Sequence, residues 1–210
     1  MNIYFDNAAT TPLDPEVFEE MKPLMLDVFG NPSSTHAHGR EARTKIDSAR
    51  RKVADLLNTS PAEIFFTSGG TEADNTALTC CVNAYDLKHI ITTEIEHKAV
   101  LETSRKLEEM GLVKVSYVDL DSEGHVNLKH LQTLLQNNSR SMVSIMHANN
   151  EIGTLNDIGT IGEIASDHDA IFHSDTVQTM GHFAHDTKNL KCHFLVGAGH
   201  KFHGPKGVGF

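Results

Sequence analysis

The sequence has no tryptophan, only three cysteines and few basic residues: Lys plus Arg number 18 against 28 for Asp plus Glu. The net charge of -10 opposes phosphate backbones and anionic membrane surfaces, so nucleic acid and membrane surfaces are disfavoured as partners. Cys80 and Cys81 are adjacent and Cys192 lies far away, which makes no disulfide framework and fits reduced thiols in a cytoplasmic compartment. No window is apolar enough to span a bilayer, and Met1 to Asn7 lack the basic flank and apolar run of a secretory signal. A soluble intracellular protein is expected. Histidine is plentiful at 14 residues, yet no His-x-x-x-His pair lies on a plausible helix with a nearby acid and no Cys-x-x-Cys occurs, so no metal is expected.

What is present is a hydrophobic content of 39% over 210 residues, enough for a real core. Ile3 to Phe5 read as a short strand, and Pro15 opens a helix carrying Val17, Met21, Leu24, Met25 and Val28 on one face. A longer helix follows Gly30 to Ser34, with Ala42, Ile46, Ala49, Val53 and Leu57 at helical spacing. Both helices are expected to lean on a larger body. Glu63 to Thr67 read as that body's first strand, followed by a Gly-rich turn and a helix through Ala77, Leu78 and Val82. The alternation then repeats: strands at 89–93, 113–118, 142–146, 171–174 and 194–196, with helices at 98–110, 128–135 and 158–165 between them. This order predicts an α/β fold of three layers, α/β/α, around a mainly parallel sheet. Gly207 to Phe210 start a further strand, whose edge would invite a partner chain.

Several residues could carry chemistry, each with a plainer alternative. Lys201, between His200 and Phe202 and followed by Gly204-Pro205-Lys206-Gly207, is either a solvated loop lysine or an amine held in a steered turn. A lysine in that second setting traps carbonyls when desolvation or a neighbouring cation lowers its pKa. Gly70 and Thr71 lie where a strand turns into a helix, so they make either a tight connection or an anion site on free N–H groups. His97 stands at a strand-to-helix junction, as a cap or as a site residue. Asp175 ends a strand, where a carboxylate starts a turn or pairs with a cationic ring nitrogen. Together, in this order, they match what a pyridoxal 5'-phosphate site requires.

The wording around these residues resembles the NifS/IscS-like cysteine desulfurases, within the class V aminotransferases of the type I pyridoxal-phosphate fold. The resemblance is carried by Tyr4 to Pro12, Gly30 to Ser34, Thr67 to Asn75, Glu96 to Val100, Asn149 to Gly153, and His200-Lys201 with Gly204 to Gly207. It implies residues 1–15 as an N-terminal arm and 16–210 as the cofactor-binding large domain, incomplete at its C-terminal end, with the small domain absent. It also implies that Lys201 bonds the cofactor aldehyde, His97 stacks on the pyridine ring and shuttles protons, and Asp175 pairs with the ring nitrogen. Asn149 and Gln178 would hold the ring's phenolic oxygen; Thr71, the Gly70 turn and His200 would contact the phosphate. The implied reaction takes L-cysteine to L-alanine and passes sulfur to an enzyme cysteine, for iron–sulfur cluster or other sulfur-requiring biosynthesis, in a homodimer that serves a sulfur-acceptor scaffold.

Two features depart from that pattern. Ala198 stands where the family usually has a phosphate-binding serine, and none of the three cysteines matches the motif of the family's nucleophile, which follows the lysine domain. The sequence ends nine positions beyond Lys201, so this chain is expected to bind cofactor without completing turnover unless a second chain supplies the rest. A non-catalytic dimerisation or scaffold role, and a lyase acting on selenocysteine, stand as alternatives.

Overall fold

The computed structural model describes residues 3–210. Its helices are α1 (Pro15–Asp27), α2 (Ala37–Leu57), α3 (Gly70–Ala84), α4 (Lys98–Glu109), α5 (Leu128–Asn137) and α6 (Ile158–Asp167). The strands are β1 (His89–Thr92), β2 (Lys114–Tyr117), β3 (Ser141–Ser144), β4 (Ile171–Asp175) and β5 (Phe194–Val196). Local chemistry explains most helix starts. Asp14, Asn127 and Asp157 each accept a first-turn N–H at the heads of α1, α5 and α6, and Pro15 has no N–H to leave unpaired.

All four strand pairings are parallel, in the order β2-β1-β3-β4-β5. Consecutive residues of the central strands are fully buried yet serve different cores. Ile90 and Met142 pack with Leu78 and Val100 of α3 and α4; Ile91 and Val143 pack with Leu131 and Ile161 of α5 and α6. Because side chains alternate across a strand, this arrangement needs helices on both faces, the three-layer sandwich. The chain moves from β1 out to β2, then returns past β1 to β3, so the direction of winding reverses between β1 and β3. At such a reversal the C-terminal strand ends part and leave a crevice.

Glu96 ties the two sides of that crevice together. Its Oε1 accepts from Thr93 Oγ1 at 2.8 Å and from the N–H of Met146 at 3.0 Å, linking the segment after β1 to the one after β3. The carboxyl is buried, and that burial pushes its pKa up to about 8, with the nearby Asp175 and Asp74 adding to the rise.

Three expectations change. Ile3 to Phe5 form no strand: they are exposed and have no neighbouring ladder to bond. Glu63 to Thr67 shrink to a single antiparallel bridge between Thr67 and Gly209, because Glu63 closes a 3-10 turn started by a Ser60 capping box and Phe65 points outward. Gly209 bridges Thr67 on one side and Ala198 on the other, and a Cβ there would come within 2.5 Å of Gly69, so only glycine fits between them. Finally, α1 buries none of its residues. Its apolar face looks onto an open groove of about 810 Å³ beside α2, whose own packing is concentrated at Ala54 and Leu57 near its C-terminal end.

Glu96 binds more protons folded than unfolded, so its contribution to stability is complete below the ordinary glutamate pKa and is lost as pH rises toward about 8. Glutamine keeps an acceptor for Thr93 and Met146 without the charge. We expect Glu96→Gln to melt higher than the parent at pH 8 with a smaller gain at pH 5, and Glu96→Ala to lose about 1–3 kcal/mol at pH 5; denaturant melts at both values check this.

Candidate active site

The crevice opens into a cleft of about 440 Å³ at the C-terminal ends of the strands. One wall is the head of α3. Its N-cap is Gly69, which has no side chain to cap the first turn, so the helix presents free N–H groups and the positive end of its dipole. A Cβ on Gly70 would come within 2.7 Å of Val177 Cγ2, so the backbone approaches this wall as closely as only glycine permits. Ala198 lies beside it, its methyl 3.6 Å from where that Cβ would be. Thr71 and Gly70 both line the cleft.

Lys201 also lines the cleft, on a 3-10 turn over Gly199–Lys201 that follows β5. Its ammonium donates to the carbonyl of Ala8. Burial lowers its pKa, while the carboxylates of Asp175 and Asp6 act against that fall. The segment before α1 is bound along this turn: Thr11 donates from both its N–H and its hydroxyl to the carbonyl of His200, at 2.8 and 2.9 Å, and Asp14 N donates to His203 O at 3.0 Å. Gln178 Nε2 also donates to Ala8 O, at 3.0 Å. His200 Nδ1 meets Thr10 Oγ1 at 3.1 Å, and desolvation together with Lys201 and Lys206 lowers its pKa.

His97 is the N-cap of α4. Its Nδ1 accepts from Ala99 N at 3.1 Å, so the neutral ring carries its proton on Nε2. Capping and facing the cleft are therefore compatible roles for one imidazole. Asp175 similarly does both things open to it: Oδ1 accepts from Val177 N at 2.9 Å in a local turn, and the buried carboxyl lines the cleft. Burial and the charge of Asp74 raise its pKa to about 7, with His173 and Lys201 opposing.

Seven of the eight residues singled out from sequence line this one cleft: Gly70, Thr71, His97, Asp175, Gln178, His200 and Lys201. Asn149 does not reach its lining. Its Nδ2 donates to Ile95 O at 2.7 Å and its Oδ1 accepts from the N–H groups of Glu151 and Ile152, so its amide shapes the loop that brings Asn150 and Glu151 to the cleft. Two residues were missed by sequence reasoning. Asp74 lines the cleft from the buried face of α3, where an acid among Ala73, Ala77 and Leu78 was the available signal. Glu96 is the other, read only as part of a motif carrying the resemblance and given no role of its own. Ligand-type atoms of Asp74, His97 and Asp175 lie within 4.8 Å of one another, a juxtaposition of three elements that no local spacing could disclose.

None of the three thiols enters the cleft. Burial pushes the thiol of Cys81 up to about 11 and that of Cys192 up to about 12, while Cys80 is exposed elsewhere on α3.

An amine, an imidazole, a carboxyl and an open helix N-terminus around one cleft suit a small anionic ligand that carries a carbonyl and a basic ring nitrogen. The aminotransferase class-V family matches residues 3–210. The cysteine desulfurase IscS of Dictyoglomus turgidum is 47% identical over 209 residues, 99% of this chain and 52% of that protein. The putative cysteine desulfurase IscS 1 of Bacillus subtilis is 47% identical over 210 residues, 99% of this chain and 55% of its own. Among solved structures, a NifS-like protein superposes with a TM-score of 0.94 at 43% identity, over all of this chain and 58% of that one. A structure described as SspA in complex with cysteine gives 0.93 at 37%, over 99% and 60%. The chain thus spans about half the length of the curated relatives it matches. With the family matched along nearly all its length, the chain belongs to the aminotransferase class-V family, where its relatives are cysteine desulfurases of the IscS and NifS kind.

Proposed function

We propose that this chain is the cofactor-binding part of a cysteine desulfurase and holds pyridoxal 5'-phosphate in the cleft. The reading rests on the convergence of Lys201, His97, Asp175 and the uncapped head of α3 on one space. In it, Gly70 and Thr71 receive the phosphate, with His200 alongside, and Lys201 supplies the amine that bonds the aldehyde. Asp175 faces the ring nitrogen, Gln178 the phenolic oxygen, and Asn149 positions the loop beside them. Bound, the cofactor supplies an electron sink for the carbanion left when an amino acid loses its α proton. His97, protonated on Nε2 when neutral, covers the ring and moves protons at that atom.

The substrate in this reading is L-cysteine, matching what the SspA structure holds, with alanine and sulfur as products and iron–sulfur cluster assembly as a destination. Residues 1–15 serve in this reading as an N-terminal arm, its Thr11 and Asp14 bonded to the lysine turn, and 16–210 as the body of the large domain, in a cytoplasmic protein. A homodimer, or a chain supplying a C-terminal segment, would cover the exposed Phe18, Leu24 and Met25 of α1.

Mixing the purified chain with pyridoxal 5'-phosphate should give a visible absorbance band that Lys201→Ala abolishes; no band in the parent chain would overturn the cofactor reading. Restoring the hydroxyl with Ala198→Ser adds a charge-assisted hydrogen bond beside the head of α3, and we expect about tenfold tighter cofactor binding, roughly 1.5 kcal/mol, in an equilibrium titration. With cofactor and L-cysteine present, mass spectrometry of these 210 residues should find no persulfide on Cys80, Cys81 or Cys192, because none of those thiols reaches the cleft.

A further inference from the structure

Behind the cleft lies a buried polar chain that the proposed chemistry does not use. His173 is fully buried on β4, two residues before Asp175. Its Nδ1 meets Ser144 Oγ at 2.9 Å, and its Nε2 lies 3.2 Å from Asp74 Oδ1. That second contact is poorly aligned for a hydrogen bond, and neither atom has another partner. Two buried polar atoms so placed satisfy each other by a small rotation, whereas separating them costs the desolvation of both. Ser144 is buried, so the Ser–His–Asp sequence is closed to substrates and cannot act as a hydrolase triad.

Asp74 lines the cleft, and one of its carboxyl oxygens lies within 4.8 Å of a carboxyl oxygen of Asp175. Two carboxylates that close in a desolvated place cannot both ionise freely. His173 sits at the back of the pair and contacts Asp74 directly. We propose that Asp74 and His173 are positioning residues for Asp175, Asp74 favouring the proton on Asp175 and His173 offsetting that effect, so that the pair sets the charge Asp175 presents to the cleft. The consequence rests on the cofactor reading: an ionised Asp175 is the partner a protonated ring nitrogen requires.

Other titratable groups also face Asp175. They are Glu96 from the segment after β1, His97 at the head of α4, and Lys201 from the turn after β5. All three remain in place in the variants below, so a change in Asp175 between variants reports the Asp74–His173 pair. Removing Asp74's charge and removing His173 act on Asp175 with opposite sign, which a general loosening of the fold would not do.

The test is a carboxyl-carbon NMR titration of the cofactor-free chain labelled at aspartate, with the Asp175 signal identified by its loss in Asp175→Asn. Asp74→Asn should lower the Asp175 midpoint by roughly one pH unit or more, and His173→Asn should raise it. Unmoved midpoints, or movement in one direction for both variants, would overturn the proposal. If the histidine variant does not fold, Asp74→Asn decides, together with the unaltered chain, where the Asp175 signal should titrate over a broadened or two-step curve that Asp74→Asn reduces to a single step; a single step in both would overturn the proposal. Adding pyridoxal 5'-phosphate in a second arm separates the two readings: no visible band in the unaltered chain overturns the cofactor proposal and leaves the carboxyl titration standing.

Discussion

The site depends on a reversal of winding. With β1 and β3 adjacent and the chain leaving them in opposite directions, the segments after these strands diverge and open a crevice that a sheet wound one way would close. Glu96 keeps the opening at a set width by bonding across it, and β4 delivers Asp175 one strand further along. The head of α3 and the turn bearing Lys201 then meet at the rim, joined through the Thr67–Gly209–Ala198 bridges. Moving any one of these supports displaces a side chain that the others cannot replace.

Electrostatics in the crevice is a balance of acids against few cations. Asp74, Glu96 and Asp175 are all buried, and burial raises the proton affinity of the last two. Lys201 and His173 act against that rise at Asp175, while the dipole of α3 favours negative charge at the rim. The cleft thus brings an open helix N-terminus and a set of buried carboxyl groups to one space. A ligand with a phosphate at one extremity and a basic nitrogen at the other would satisfy both.

Several local features do double duty. His97 caps α4 with one nitrogen and leaves the other for the cleft, and Asp175 closes a turn with one oxygen while its carboxyl lines the site. The plain and the chemical readings of these residues are compatible because each side chain has two polar atoms and the backbone uses one. Asn149 shows the limit of this economy: its amide oxygen is engaged by its own loop and its amide nitrogen by Ile95 O in the segment after β1, and its neighbours face the cleft instead.

The alternation of apolar runs and helical stripes was sufficient in the sequence to give the α/β order and the parallel sheet, since those periods follow from backbone geometry. The wording around Gly70, His97, Asp175 and Lys201 marked most of the lining, because strand ends and Gly-rich turns are local signals. Packing had to decide the rest. Ile3 to Phe5 and Glu63 to Thr67 read as strands, yet a strand needs a neighbour, and neither run has more than the bridge at Thr67. The apolar stripe of α1 predicted burial, but only the tertiary structure could show that α2 leaves an open groove along it and buries none of its residues fully. Asp74 and His173 are 99 positions apart and meet only when α3 crosses β4, so the charge held behind Asp175 is a property of the fold, decided by which buried groups it forces together.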